Sequence, residues 1–77
     1  MQQSKITKLT KTLKENKEVE FRHNGFYYEI FESVESGYIV NLYSSDIRDE
    51  YGSYLDEYLI DGGLCTGSAE DAIGFML

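Results

Sequence analysis

The chain has 77 residues, of which 42% are hydrophobic and 27% are charged, and it contains seven Tyr, one Cys and no Trp or Pro. This length leaves room for one hydrophobic core and excludes two independent ones. The single Cys excludes a disulfide framework or a cage of several cysteines around a metal. No apolar run approaches the ~18 residues of a membrane-spanning helix. These features predict one soluble domain over residues 1–77, in a reduced, cytoplasmic setting and without membrane contact.

Charge is distributed unevenly along the chain. Residues 1–22 hold six basic side chains against three acids, whereas residues 23–77 hold Arg48 alone against eleven acids. Such an acidic body repels nucleic-acid phosphates, so we expect no direct nucleic-acid binding and favour a basic protein partner. The lysines of the first segment recur every third residue, which spreads them around a helix as a solvated face.

Residues 4–17 show the pattern of an amphipathic helix. Ile6, Leu9 and Leu13 lie on one narrow face of it. Ser4 is placed to cap the first turn. Three apolar residues cannot hold such a helix in water, so we expect it to dock on the rest of the domain.

Residues 19–31 predict a β-hairpin. Asn24-Gly25 is the preferred pair for a two-residue type I′ turn, because both positions require positive φ. This turn fixes a register in which Phe21 faces Tyr28, and it places the apolar side chains of both strands on one face.

A second hairpin follows the first. A three-residue loop at residues 35–37 would pair Val34 with Tyr38 and Ile30 with Leu42. This register keeps the apolar residues of the third strand on the same face as those of the first two, whereas a two-residue turn would move them to the opposite face.

The second half of the chain is less regular. Residues 44–56 are polar and acidic and predict a long loop. Residues 58–60 fit a helical turn if residues 54 and 55 are included, or a short strand by themselves, and we favour the strand, which stops at residues 61–63. Ser68 begins a C-terminal helix, with Asp71 placed to complete a capping box. The predicted fold is a two-layer α+β domain with an N-terminal helix, an antiparallel three- to four-stranded β-meander and a C-terminal helix.

Residues 46–57 invite comparison with a calcium-binding EF-hand loop. Starting the pattern at Asp46 places Glu57 at its last position. However, Arg48 then occupies the third position and Tyr51 the sixth, where the turn requires Gly. The match fails, so we expect a solvated acidic loop, no metal site and no cofactor.

The segment from Gly62 to Ser68 is an alternative candidate site, since a glycine-rich loop before a helix can present backbone N–H groups to an anion. It lacks the Lys of a P-loop and matches no dinucleotide-binding pattern. Cys65 lies close to the helix start, where a thiolate would be stabilised, but nothing in the sequence brings His23 to it as a base. We therefore expect Cys65 to be a small buried hydrophobe. The candidate residues of this loop are Gly62, Gly63, Cys65, Thr66, Gly67 and Ser68.

The face of the meander opposite the apolar side combines aromatic, aliphatic and acidic side chains. If both helices pack on the apolar side, this outer face is an exposed binding surface; if one helix crosses each face, it is a second layer of core. We favour exposure, because a domain of 77 residues rarely fills three layers. The predicted partner-binding residues are Tyr27, Glu29, Phe31, Ile39, Tyr43, Asp46, Asp49 and Glu50.

These features predict a small protein-binding module without catalytic residues, which engages a basic protein surface through its acidic, tyrosine-rich face. It would act as an inhibitor if it mimics nucleic acid, as small proteins of phages and mobile elements do. Two alternatives stay open. One is a small enzyme or anion-binding protein that uses the Gly62–Ser68 loop with Cys65, and the other is a structural or adaptor domain of a larger assembly. The sequence indicates no oligomeric state.

Overall fold

A computed structural model describes residues 2–77 and shows the predicted α+β architecture. The strands form one antiparallel sheet in the order β1-β2-β3-β4. No helix within the described range has the length and hydropathy to cross a membrane. The elements are α1 (Gln3–Asn16), β1 (Glu18–His23), β2 (Phe26–Glu32), β3 (Tyr38–Tyr43), a 3₁₀ turn (Asp56–Tyr58), β4 (Leu59–Cys65) and α2 (Ala69–Gly74).

Both helices pack against each other and against the same face of the sheet. Ile6 and Leu9 of α1 lie against the core from the helix side. The burial of these apolar side chains is the main favourable term in the stability of the domain. The buried core residues are Leu13, Val19, Phe21, Tyr28, Ile30, Val40, Cys65, Ala69, Ala72 and Ile73.

The N-terminal helix differs from the prediction at its start. Gln2 occupies the N-cap position and makes no side-chain cap hydrogen bond, so the expectation that Ser4 caps the helix is wrong. The helix ends at Asn16 and is capped by Lys17, which has a left-handed backbone (φ 66°) and donates its N–H to the Leu13 carbonyl at 2.9 Å. This turn directs the chain straight into β1.

The β1–β2 hairpin has the predicted turn and register. Asn24 and Gly25 have φ values of 54° and 82°, as a type I′ turn requires. Phe21 faces Tyr28, and their rings stack with centroids 4.9 Å apart. The hairpin prediction is confirmed. It could be made from the sequence because neighbouring residues alone specify the turn.

The β2–β3 register is shifted by two residues from the prediction. Ile30 pairs with Val40 rather than with Leu42. The connecting loop is wider than expected, because β2 ends at Glu32 and β3 begins at Tyr38. The Ser33 N–H donates to the Gly37 carbonyl at 3.0 Å across this loop. Val34 leaves the sheet and is fully exposed. A shift of two residues preserves the face of each side chain, so the predicted apolar side is nevertheless correct.

The fourth strand, with seven residues, is much longer than the strand expected at residues 58–60. The expectation that its glycines stop the strand is wrong. A Cβ on Gly62 would lie 2.9 Å from Asn41 Oδ1, and a Cβ on Gly63 would lie 2.9 Å from Phe75 Cε2. These glycines therefore serve the close approach of neighbouring side chains, not a turn.

The C-terminal helix begins as predicted. Ser68 Oγ accepts from the Asp71 N–H at 3.2 Å, and Asp71 Oδ2 accepts from the Ser68 N–H at 3.1 Å. This reciprocal pair is a capping box. Beyond the helix, the hydroxyl of Tyr28 contacts the Met76 carbonyl at 3.4 Å, which ties the chain end to the sheet.

Candidate interaction surface

The outer face of the sheet is partly covered, although no helix lies on it. Residues 44–58, called here the acidic segment, leave β3, cross this face and return to β4. Its ends meet where the Ser44 N–H donates to the Tyr58 carbonyl at 2.9 Å, and an isolated bridge joins Arg48 to Tyr54. Both helices lie on the apolar side, as the favoured arrangement requires, but the outer face is only partly exposed because this loop covers the rest.

Arg48 anchors the acidic segment to the sheet. Its guanidinium donates to both carboxylate oxygens of Glu20 on β1, at 3.0 and 3.1 Å, and to the Gly52 carbonyl at 2.7 Å. It also lies 4.1 Å from the centroid of the Tyr54 ring, within the range of a cation–π interaction. The hydrogen bonds to Glu20 raise the pKa of Arg48, so the anchor stays charged.

Tyr54 of the segment packs on two tyrosines of the sheet. Tyr54 is buried against Tyr43, with ring centroids 4.8 Å apart, and lies 6.3 Å from Tyr27. Tyr43 is 4% exposed, so this predicted partner-binding residue lies under the segment in the structure. Tyr27 is half-buried, with Arg22 over its ring. These rings therefore hold the segment on the sheet and present little surface to a partner.

Glu29, on β2 beside the segment, accepts two side-chain hydrogen bonds. Its Oε1 receives the Tyr43 hydroxyl at 3.3 Å and Asn41 Nδ2 at 3.2 Å. Burial, with the nearby negative charge of Glu29, raises the pKa of Tyr43 to about 12. Of the predicted binding residues, Glu29 and Tyr43 therefore contact each other through Glu29 Oε1.

The acidic side chains of the segment point to solvent. Asp46, Glu50, Asp56 and Glu57 are exposed, and none makes a side-chain hydrogen bond or ion pair within residues 2–77. Asp49 is exposed as well, but its Oδ1 accepts the backbone N–H groups of residues 51 and 53 and so shapes the local turn. The segment is a structured loop with an outward negative surface.

Beside the segment, an uncovered row of apolar side chains crosses the sheet. Phe31 pairs with Ile39, and Ile39 pairs with Leu64, so the three lie side by side on the outer face. Phe31 and Ile39 are half-buried, and Leu64 is 51% exposed. We call these residues the apolar row. The structure thus groups two of the predicted binding residues with one that the sequence assigned to a loop.

An open cleft of about 590 Å³ lies between α1, β1 and the acidic segment. The carboxylates of Glu18 and Glu29 line it, together with the Arg48–Glu20 pair. Tyr51, 84% exposed, stands at its rim. The charge of this cleft suits a lysine or arginine side chain better than an acidic one.

The alternative site at residues 62–68 is rearranged by the extension of β4. Gly62, Gly63 and Cys65 are strand residues, and the connection to α2 contains only Thr66, Gly67 and Ser68. The capping box occupies Ser68, and Asp71 and a second acid lie in the first helical turn, where they repel an anion. The expectation of a glycine-rich loop over residues 62–68 is therefore wrong, because the loop is only three residues long. The Ser68 and Asp71 side chains already accept hydrogen bonds from backbone N–H groups at the helix start.

Cys65 lies on the core side of β4 and is buried. His23 is at the end of β1, on the opposite edge of the four-stranded sheet. Three strand spacings separate these edges, about 14 Å, so His23 does not contact the thiol. No group of three or more potential metal ligands occurs within the described residues.

Sequence reasoning missed Arg48 and Tyr54 as the anchors of the segment, and Leu64 as part of the surface. A signal existed for Arg48, because it is the only Lys or Arg after Arg22. For Leu64 the glycines concealed the strand. The chain matches no known family model, no curated protein and no solved structure.

Proposed function

We propose that this protein is a small, acidic, non-enzymatic binding module whose partner is a protein with a basic surface. The observation that carries the proposal is that Arg48 makes its contacts within its own chain. It is the only basic side chain of the acidic segment, and it is bound to Glu20, Gly52 and Tyr54 of its own chain. The five acids of the segment are therefore left unbalanced on a loop held in one conformation.

A fixed negative surface speeds the encounter with a positively charged partner and disfavours acidic ones. The cleft beside the segment adds a place for one basic side chain of the partner, between Glu18 and Glu29. The finer proposal is inhibition, in which the module occupies a protein surface that otherwise holds nucleic acid. A cytoplasmic location belongs to the same proposal.

The test is a kinetic measurement on a basic protein recovered with the module from cells. The triple variant Asp46→Asn, Glu50→Gln, Glu57→Gln removes three exposed charges that make no internal contacts. We expect it to slow association about tenfold at low salt, with little change in dissociation. The matched control is Glu15→Gln, Glu35→Gln, Glu70→Gln, which removes the same charge elsewhere on the molecule and should slow association far less.

Added salt should slow association of the unmodified module and leave the triple variant less affected. Double-stranded DNA should compete for the partner if the module mimics nucleic acid. Rates that ignore salt and respond equally to both triple variants would contradict the proposal. If DNA does not compete but the other results hold, only the proposed mimicry of nucleic acid is wrong.

A further inference from the structure

β4 has one edge without a partner strand. It is the last strand of the sheet, and β3 is the only helix or strand within the described residues that makes extensive contact with it. Leu59, Ile60 and Leu64 are 44%, 52% and 51% exposed. The strand contains neither Lys nor Pro, two residues that commonly block pairing at an edge.

The backbone at this edge is available for hydrogen bonding. The Gly62 N–H points away from β3, because it donates to Asp61 Oδ1 at 2.8 Å. Alternate residues of an antiparallel strand direct their N–H and C=O groups to the same side, so the Leu64 backbone faces the free edge as well. At Gly62, the Asp61 carboxylate accepts the hydrogen bond that a neighbouring strand would otherwise accept.

Charge identifies the chemistry of a strand that would fit there. Residues 49–77 contain seven acids and no Lys or Arg. The exposed apolar positions of β4 are therefore flanked only by negative charge, with Asp56 and Glu57 before the strand and Asp61 within it. A second copy of the chain, with its own net charge of −7, is opposed at this edge by like-charge repulsion.

We propose that the free edge of β4 binds an extended segment of the basic partner as a fifth strand. Main-chain hydrogen bonds to Gly62 and Leu64 supply the pairing. An apolar side chain of the partner extends the apolar row beyond Leu64, and flanking lysines or arginines meet the carboxylates. The incoming carbonyl replaces Asp61 at the Gly62 N–H, which releases this carboxylate to pair with a basic side chain.

This inference rests on the proposed function, and its test uses a defined probe. The probe is a peptide of seven residues, the length of β4, in which lysine alternates with valine. A matched peptide carries N-methyl groups on alternate backbone nitrogens, which removes N–H donors without changing charge. A third peptide has glutamate in place of lysine. Binding is followed by the amide NMR shifts of the full chain.

The lysine–valine peptide should shift the Gly62 and Leu64 amides and slow the hydrogen exchange of Leu64. N-methylation should weaken binding at least tenfold, about 1.4 kcal/mol, and the glutamate peptide should not bind. The double variant Ile60→Ser, Leu64→Ser should also weaken binding, whereas Val34→Ser, at an equally apolar and fully exposed position outside the sheet, should not.

Three results would overturn the inference. If both lysine peptides bind equally and shift only residues 46–57, attraction is purely electrostatic, and the proposed function survives without strand addition. If neither lysine peptide binds, the edge does not accept a basic strand, and the charge variants still test the function independently. If the Gly62 and Leu64 amides change with protein concentration alone, the occupant of the edge is a second copy of the chain.

Discussion

The two edge strands of the sheet, β1 and β4, differ in their side chains and in what lies beside them. On its outer face β1 carries Glu18, Glu20 and Arg22, and Arg48 reaches across the sheet to bind Glu20. α1 lies along β1, whereas no helix makes comparable contact with β4. Charges placed on an edge strand oppose pairing with other chains.

β4 has the opposite construction. Its exposed positions are mostly apolar, and its one charged side chain caps a single N–H group of its own backbone. The sheet therefore has one edge strand whose outer face is charged and another whose exposed side chains are mostly apolar. This difference in side chains is the reason for proposing strand addition at β4 rather than at β1.

The largest expected effect is a loss of stability at the loop that contacts β4, compared with the turn that joins β1 to β2. Gly37 and Gly25 both have positive φ, but a Cβ on Gly37 would collide with the backbone carbonyl of Cys65, whereas Gly25 faces open space. Gly37→Ala should therefore lower the free energy of unfolding by about 2–4 kcal/mol. Gly25→Ala, the control for backbone strain alone, should cost about 1–2 kcal/mol. Chemical denaturation measures both, and equal losses would show that the loop does not support β4.

A smaller effect tests how Arg48 holds the acidic segment against β1. Arg48→Ala removes the Glu20 ion pair and the contact with Tyr54. We expect a loss of about 1 kcal/mol in stability, because the pair is partly exposed, and faster backbone motion over residues 46–54 by NMR relaxation. Arg48→Lys keeps the charge and loses the two-pronged geometry, so it should restore only part of the order. Unchanged relaxation in Arg48→Ala would mean that the segment is held by its tyrosines alone.

The smallest effect concerns the hydroxyl beneath the acidic segment. The pKa of Tyr43, raised from 10.0 to about 12, means that the folded state keeps a proton which the unfolded state releases. Its contribution to stability is therefore complete below pH 10 and lost between about pH 10 and 12. Tyr43→Phe should destabilise the protein by about 1 kcal/mol at neutral pH and flatten this alkaline decline. Tyr51→Phe, at an exposed ring, is the control and should leave the decline unchanged.

Local and distant determinants explain which features could be predicted from the sequence. The β1–β2 hairpin and the Ser68 cap depend on residues a few positions apart, and both were predicted correctly. The β2–β3 register depends on a loop whose Gly37 fits against Cys65, a contact with a strand not yet placed. The glycines of β4 resemble a turn until Asn41 and Phe75 are known to lie against them.

The candidate surface was predictable in composition but not in arrangement. The outer face could be identified from alternation along β2 and β3, and the acidic loop from its charge. The contact between Arg48 and Glu20 joins residues 28 positions apart, and no local pattern reveals it. Together with the packing of Tyr54 on Tyr43, this contact holds the segment on the β1–β3 side of the outer face, away from Leu64.

The most direct test of an open β4 edge is amide hydrogen exchange of the unbound protein at low concentration. The Gly63 and Cys65 N–H groups face β3 and should be protected, whereas the Leu64 N–H faces the free edge and should exchange at a rate close to that of an unstructured chain. Alternation of fast and slow exchange along these residues is the predicted result. Protection of Leu64 equal to that of its two neighbours would show that this edge is already paired, and would contradict the assignment of β4 as the open side of the sheet.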